Sequence, residues 1–399
     1  MLFISSFPPR QCGIATFTND LVRHYDALNG GVSDVVAIDD RSGTQYLYNP
    51  RVIARIKEDD LSTYYAAASR INAHPSRVVN IQHEYGLFGG EGGAWALELI
   101  QAIEKPVVLS MHTVLPQPSA RHAGLARALA GRASHVVVLS QTARRLLIER
   151  YGIAPERVSV IHHGVPDVAL TGTEAAKEAL AIGNRPVIST FGLISSGKGL
   201  EYAIAAIHEI AQAYPDVLYL IIGATHPNVV RAEGERYRTS LQELIAVMRL
   251  RKNVRMIDRY LSLQELLRYL QATDVYLTPY VNADQVVSGT LAYALAAGKA
   301  IVSTPYAYAR ELLADGRGLL AEFRDSRSLA SATGRFLADP GFRESTAVAG
   351  YAFGRRMIWN NVAGEYARLL AMCSISPSGV RSYRAAEALV RVPATAHAS

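Results

Sequence analysis

The sequence predicts an α/β protein built from two doubly wound domains, and three observations lead there. Short apolar runs of strand length alternate with segments of helical spacing along most of the chain. That alternation pauses once, between Pro166 and Arg185, in a stretch rich in Gly, Thr, Glu and small residues. In the second half, two strand, loop, helix units carry Gly- and Ser-containing loops, the arrangement that sets backbone N–H groups at the carboxyl edge of a parallel sheet. A chain of 399 residues is too long for one ordinary core, which also argues for two domains.

Taken in order, the runs at Leu2–Phe7, Val32–Asp39, Arg51–Ile56, Arg77–Gln82, Pro106–Thr113, Ser134–Ser140 and Val158–Gly164 are expected as strands. Most are apolar along their whole length, so they suit a sheet covered on both faces. Helical spacing falls between them at Ile14–Leu28, Ser62–Ala73, Gly92–Glu104, Ser119–Arg132 and Gln141–Tyr151. After the pause the alternation restarts with strand signals beginning at Val187, Val217, Val254, Val275, Ala300 and Gly318. Phe342–Cys373 reads as one or two closing helices with Trp359, Val362, Tyr366 and Leu369 on an apolar face. The expected divisions are residues 1–168, 169–355 and 356–373, then a mobile tail over 374–399 that lacks periodic apolar residues.

Composition narrows the class. Hydrophobic residues make up 49% and charged residues 19%, and no apolar run reaches the roughly 18 residues that a membrane-spanning helix needs. LFISSF opens the chain without a basic segment and cleavage site, so a cytoplasmic protein is expected. Cys12 and Cys373 lie at opposite ends of the sequence; a thiolate metal site needs more ligands, and a structural disulfide is not expected in a cytoplasmic protein. A net charge of +6 is compatible with polyanionic partners without demanding one, and no nucleic-acid partner is expected.

The chemistry concentrates in two loops. Within Asp274–Pro305, Ser288 is an N-cap candidate directly before Gly289 and Thr290, so the loop would offer N–H groups to an anion. Within Val187–Ile207, the loop carries one cation, Lys198, between Gly197 and Gly199. Either loop alone is an ordinary connection. Together they can face a diphosphate from both sides, one with N–H dipoles and one with an ammonium.

Other candidates lie in the first half. Gly13 follows the first strand and suits either a tight turn or the close approach of a ligand to the backbone. His83 and Glu84 end a strand before a loop with Gly89, Gly90, Gly92 and Gly93, a setting for acceptor recognition. A metal site formed by His83, Glu84, His112 and His163 is the competing reading, although no close His/His/Glu spacing supports it. The segment from Ser119 to Arg150 carries Arg121, Arg127, Arg132, Arg144, Arg145 and Arg150 against one acid, Glu149; this face is either solvated surface or a peripheral contact with anionic lipid at the inner face of the membrane.

At these residues the chain resembles the retaining, nucleotide-sugar-dependent glycosyltransferases of group 1 (family 4-like), which have the GT-B fold of two Rossmann-like domains facing across a cleft. The resemblance runs from Pro8 to about Leu370 through SFPPRQCGIATFTNDL, SMHTV, VVVLSQTARRLL, VSVIHHGVPD, FGLISSGKGLE and LAYALAAGKAIVST, in that order. It implies an acceptor-side first domain, a second domain that binds the nucleotide sugar, and a C-terminal helix returning to the first domain. It places His112 at the transferred sugar, and Lys198, Ser288, Gly289 and Thr290 at the diphosphate. Four positions depart from the family pattern: Leu193 stands where the family has an Arg, Gln285 and Tyr293 where it has two glutamates, and His163 where it has an Asn.

The function this implies is transfer of a hexosyl group, with retention, to an acceptor hydroxyl on a glycan or lipid-linked sugar, as in polysaccharide biosynthesis. The donor-binding residues would be Gly13, Lys198, Gln285, Ser288, Gly289, Thr290 and Tyr293, the catalytic ones His112 and Lys198, and the acceptor-binding ones His83 and Glu84. Neither a cofactor nor a metal is expected, the nucleotide sugar being a co-substrate. Leu193, Gln285 and Tyr293 keep a second reading open, a catalytically silent nucleotide-sugar-binding protein; a metal-dependent hydrolase built on the histidines is the third.

Overall fold

Strands buried on both faces arise where every side chain, odd and even, is apolar or internally satisfied. The computed structural model describes residues 1–375 and divides into two units, residues 1–162 with those from 360 onward, and residues 163–359. In the first unit the strands are β1 (Leu2–Ser5), β2 (Asp34–Asp39), β3 (Val52–Lys57), β4 (Val79–His83), β5 (Val107–Met111), β6 (His135–Val138) and β7 (Val158–Val160). They form one parallel sheet in the order β3-β2-β1-β4-β5-β6-β7, and every residue of β1, β4, β5 and β6 is buried. Its helices are α1 (Gly13–Asn29), α2 (Leu61–Ala73), α3 (Trp95–Ala102), α4 (Ala120–Arg132) and α5 (Gln141–Glu149).

The second unit repeats the plan with β8 (Val187–Phe191), β9 (Leu218–Ile222), β10 (Val254–Ile257), β11 (Val275–Thr278), β12 (Ala300–Ser303) and β13 (Leu319–Leu320), parallel in the order β10-β9-β8-β11-β12-β13. Before, between and after them lie α6 (Glu174–Ala179), α7 (Leu200–Ala213), α8 (Pro227–Glu233), α9 (Arg236–Val247), α10 (Leu263–Gln271), α11 (Gly289–Ala296), α12 (Ala307–Leu312), α13 (Ser326–Ala338), α14 (Pro340–Gly354) and α15 (Trp359–Ile375). Strand alternation builds two cores here: Leu218, Leu220, Ile222 and Tyr276 face one cluster with α11, while Tyr219, Ile221, Val275 and Leu277 face the other with α7.

The division falls earlier than residue 168. Residues 163–168 belong to the second unit because Val165 bridges Ile358 in parallel: Val165 N–H donates to the Met357 carbonyl at 2.9 Å and Trp359 N–H to the Val165 carbonyl at 3.0 Å. That bridge also sets the start of the closing helix at Trp359 rather than residue 356. From Asn360 on, α15 counts with the first unit, where it buries Val362, Tyr366, Leu369 and Leu370. Nor is the stretch 166–185 wholly irregular, since α6 forms there and its Lys177 ammonium meets Asp274 at 2.7 Å. Ser374 and Ile375 end α15; the rest of the tail expected over 374–399 lies outside the described residues. No helix among the described residues is long and apolar enough to cross a membrane.

Candidate functional site

In the second sheet β8 has β9 on one side and β11 on the other. Chains leaving β8 and β11 therefore turn to opposite faces, and a crevice opens beyond their carboxyl ends, where open α/β sheets bind ligands. Lys198 and Ser288 follow these two strands. Their loops are stitched together: Val281 N–H donates to the Gly197 carbonyl at 3.1 Å, and a Cβ on Gly199 (φ +61°) would run into the Pro279 carbonyl oxygen. Only glycine fits that close approach.

Between these contacts the Lys198 ammonium lies 3.9 Å from the centroid of the Tyr280 ring, which in turn stacks on Tyr306. An aromatic face orients a cation without cancelling its charge. Tyr280 links back to the other loop, its hydroxyl 2.7 Å from Thr290 Oγ1, which lies 3.1 Å from Ser288 Oγ. Ser288 is the N-cap of α11, its Oγ accepting from Leu291 N–H at 3.3 Å. Gly289 and Thr290 thus head a helix whose dipole favours an anion at this end.

His163 packs under the same helix end. Its Nδ1 lies 2.8 Å from the Gly164 carbonyl oxygen, which can only accept, so Nδ1 carries the proton. Burial pushes its pKa down to about 4, against which the carbonyl contact acts in the opposite direction. The ring is therefore neutral at pH 7. A Cβ on Gly289 would come within 2.8 Å of Nε2, so this imidazole fixes the need for glycine there.

Of the positions where charge is missing, Gln285 has its amide nitrogen bound to the Val287 carbonyl at 2.9 Å, and Tyr293 packs edge-on to both His163 and Phe191. Both lie in the loop and helix of the Ser288 site. Gly13 sits in the first unit as the first residue of α1, exposed, with nothing within 4 Å of a Cβ built on it. Its backbone does not demand glycine; the position leaves open space at a helix N-terminus.

His112 follows β5 and is 7% exposed, with its Nε2 2.7 Å from Gln82 Oε1 and its ring edge-on to Phe17. Behind it the polarity of a whole chain of amides is determined. Asn80 Nδ2 donates to the Val108 carbonyl at 3.1 Å, which leaves Asn80 Oδ1 to accept from Gln82 Nε2 at 2.5 Å. Gln82 Oε1 is then the acceptor for His112, so the proton of a neutral His112 sits on Nε2. Asn80 also donates to Ser110 Oγ, itself 3.0 Å from the Tyr366 hydroxyl. Gln82 and Asn80, two apart on β4, share a sheet face; the sequence reading passed over them as strand interior.

The structure corrects two expectations. His83 is not presented at an open edge: it is 0% exposed, stacked on Phe88 and edge-on to Tyr85, and burial lowers its pKa to about 4. The loop expected to expose it folds over it instead, because Phe88 is buried beside it. Glu84 is half-buried and accepts from Thr113 Oγ1 and from Tyr85 N–H at 3.0 Å; burial raises its pKa against those hydrogen bonds. The arginine-rich face is likewise partly committed. Arg132 donates to the Ile103 carbonyl, Arg144 to those of Val158 and Pro155, and Arg121 pairs with Glu91, while Arg127, Arg145 and Arg150 are exposed. Among the described residues no group of three or more His, Cys, Asp or Glu side chains is arranged to hold a metal ion.

A residue the sequence reading missed stands near Lys198. His226, after β9, donates its backbone N–H to the Ile194 carbonyl at 2.9 Å, and its imidazole feels the charge of Lys198. No motif marks it; only the pairing of β8 with β9 brings the two loops together.

Comparison with known proteins gives these features a family. The model described as Glycosyltransferase Family 4 matches residues 12–168, and that described as Glycosyl transferases group 1 matches residues 185–339. D-inositol 3-phosphate glycosyltransferase from Acidothermus cellulolyticus is 26% identical over 315 residues, 73% of this chain and 68% of that protein. Alpha-maltose-1-phosphate synthase from Mycolicibacterium smegmatis is 26% identical over 232 residues; the match spans 55% of this chain and only 57% of the synthase. Among solved structures, sucrose-phosphate synthase from Thermosynechococcus elongatus superposes with a TM-score of 0.76 at 17% identity, covering 93% of this chain and 98% of that one. Anabaena Alr3699/HepE, crystallised in complex with UDP, gives a TM-score of 0.73 at 17% identity over 93% and 99% of the two chains. At such identity the likeness is one of fold. With both domain models matched in order along its two parallel-sheet units, the chain belongs to the group 1 glycosyltransferases of GT-B fold.

Proposed function

We propose that the protein transfers a hexosyl group from a nucleoside diphosphate sugar to an acceptor hydroxyl, on a glycan or a lipid-linked sugar, with retention at the anomeric carbon. The observation that carries this reading is that the Lys198 loop is hydrogen-bonded to the loop leading into α11 at the switch point of the second sheet, with Tyr280 contacting both Lys198 and Thr290. As the bond between sugar and phosphate breaks, negative charge grows on the leaving diphosphate. A preorganised ammonium and N–H groups aimed at that charge stabilise the transition state more than the ground state. Lys198, Ser288, Gly289 and Thr290 fill that role, with Gln285 and Tyr293 beside the donor. His112, oriented by Gln82, hydrogen-bonds the transferred sugar, and Glu84 serves the acceptor. Since protein groups meet the phosphate charge, the reaction proceeds without a metal. That HepE was crystallised with UDP supports a nucleotide-sugar donor.

A thermal-shift screen of UDP-, GDP- and ADP-sugars tests the reading, because a ligand at a hundred times its dissociation constant adds about 2.7 kcal/mol to stability. The donor that stabilises should be hydrolysed slowly or transferred, in the presence of chelator, with the anomeric configuration kept. No stabilisation by any donor overturns the proposal. Binding without turnover favours a silent nucleotide-sugar-binding protein, the reading that Leu193, Gln285 and Tyr293 invite.

A further inference from the structure

On the reading above, Lys198 is a single ammonium set to meet a ligand that carries several negative charges. The structure brings a second ionisable group to the same edge of the sheet. The loop after β9 is sewn to the loop after β8: Ile194 N–H donates to the Ala224 carbonyl at 2.9 Å, Ile194 bridges Thr225 in parallel, and His226 N–H returns to the Ile194 carbonyl at 2.9 Å. These bonds hold half-buried His226 against Ile194, four residues before Lys198, and within reach of the Lys198 charge. Leu193, next along, contributes no charge.

We propose that His226 is a second cationic ligand of the donor diphosphate, neutral in the free protein and protonated in the complex. This rests on the reading above that Lys198 binds the diphosphate. In the free protein burial comes first in lowering the pKa of His226, followed by the like charges of Lys198 and then Arg231. The first of these charges comes from the β8 loop and the second from α8. Of the nearby carboxylates, Glu235 meets Thr225 Oγ1 and Arg238, and Asp258 meets Arg238. A bound diphosphate reverses the local field, so that protonation of the imidazole becomes favourable and a neutral residue becomes a charge-assisted donor. Binding then takes up a proton near neutral pH.

The test measures the dissociation constant of UDP, GDP or ADP, whichever binds most tightly, at about pH 6 and about pH 8.5 for the wild type, His226→Gln and Lys198→Ala. The ligand's own phosphate titrates in this range, but that contribution is shared and cancels in the ratio of variant to wild type. His226→Gln should bind nearly as well as the wild type at the higher pH and more weakly at the lower, by up to about tenfold for each pKa unit gained on binding. Calorimetry in two buffers of different ionisation heat should show less proton uptake by the variant. His226→Lys, charged throughout, should remove the histidine's share of the pH dependence while keeping tight binding, which a merely structural histidine does not predict. A ratio that stays flat with pH, together with unchanged proton uptake, overturns the proposal for His226. Should Lys198→Ala also leave nucleotide affinity unchanged, the diphosphate site itself is misplaced; if only Lys198→Ala weakens binding, the site stands and His226 is no part of it.

Discussion

Replacing Gln82 by Met isolates the amide chain behind His112. Met is unbranched and of similar volume, so the packing of β4 is largely conserved while the side-chain hydrogen bonds of Gln82 to His112, Asn80 and Tyr366 disappear. The bonds lost include the 2.7 Å contact to His112 Nε2 and the 2.5 Å contact from Asn80 Oδ1. Asn80 is 0% exposed, so its orphaned oxygen costs about 1–3 kcal/mol; His112 is 7% exposed and recovers part of its loss from water. A total of about 2–4 kcal/mol follows, within the roughly 5–15 kcal/mol by which domains are stable, so the variant should fold. Denaturant titration reads the stability, and nitrogen NMR of the imidazole reads the tautomer. In the wild type at neutral pH, His112 should carry its proton on Nε2; in Gln82→Met that preference should be lost, and transfer should fall while affinity for the free nucleoside diphosphate holds. Unchanged stability with an unchanged tautomer would refute the assigned polarity of the chain.

Three further outcomes are expected. Gly289→Ala should destabilise the protein by about 1–3 kcal/mol and weaken nucleotide binding, because the new methyl displaces His163 from beneath α11; the double change with His163→Ala should restore much of the loss, as a two-dimensional comparison of the four proteins would show. Stability should decline as the pH falls from about 6.5 to about 4, since burial holds His83, His135 and His163 near a pKa of about 4, below the unfolded value. A depressed histidine pKa means the unfolded chain binds more protons in that window, so the stability is fully present above it and lost through it; a denaturation midpoint independent of pH there would contradict this. His112→Ala should depress transfer strongly and leave nucleoside diphosphate affinity nearly unchanged, whereas equal loss of both would place His112 at the nucleotide.

Much of this architecture was legible in the sequence because buried parallel strands are short, continuous apolar runs. Each of the thirteen strand signals became a strand, and Ser288 caps α11 as its place before Gly289 suggested. What the sequence did not reveal depends on contacts distant along the chain. The bridge from Val165 to Ile358, which moves the division to residue 163, joins segments whose signals are separate and ordinary. Burial of His83 depends on Phe88 folding back as its stacking partner, although a glycine-rich loop reads as open. His226 reaches the Lys198 loop through the register of β8 on β9. Asn80 and Gln82 are the instructive omission, for polar residues two apart in a fully buried strand have to find partners, and that rule was available from the sequence alone.

The central claim is that Lys198 stabilises charge on the departing diphosphate, and single-turnover kinetics of Lys198→Ala beside nucleotide binding tests it most directly. The side chain's own contact, over Tyr280, is worth about 0.5–2 kcal/mol, while the backbone bond from Val281 to Gly197 keeps the loop in place without it. Loss of the ammonium should therefore reduce the rate of donor hydrolysis or transfer by roughly a hundredfold or more, and donor affinity by much less. Lys198→Arg should rescue in part, its planar guanidinium presenting donors in a different geometry. Equal loss of affinity and rate would make Lys198 a ligand holder without a transition-state role, and no change in either would contradict the account.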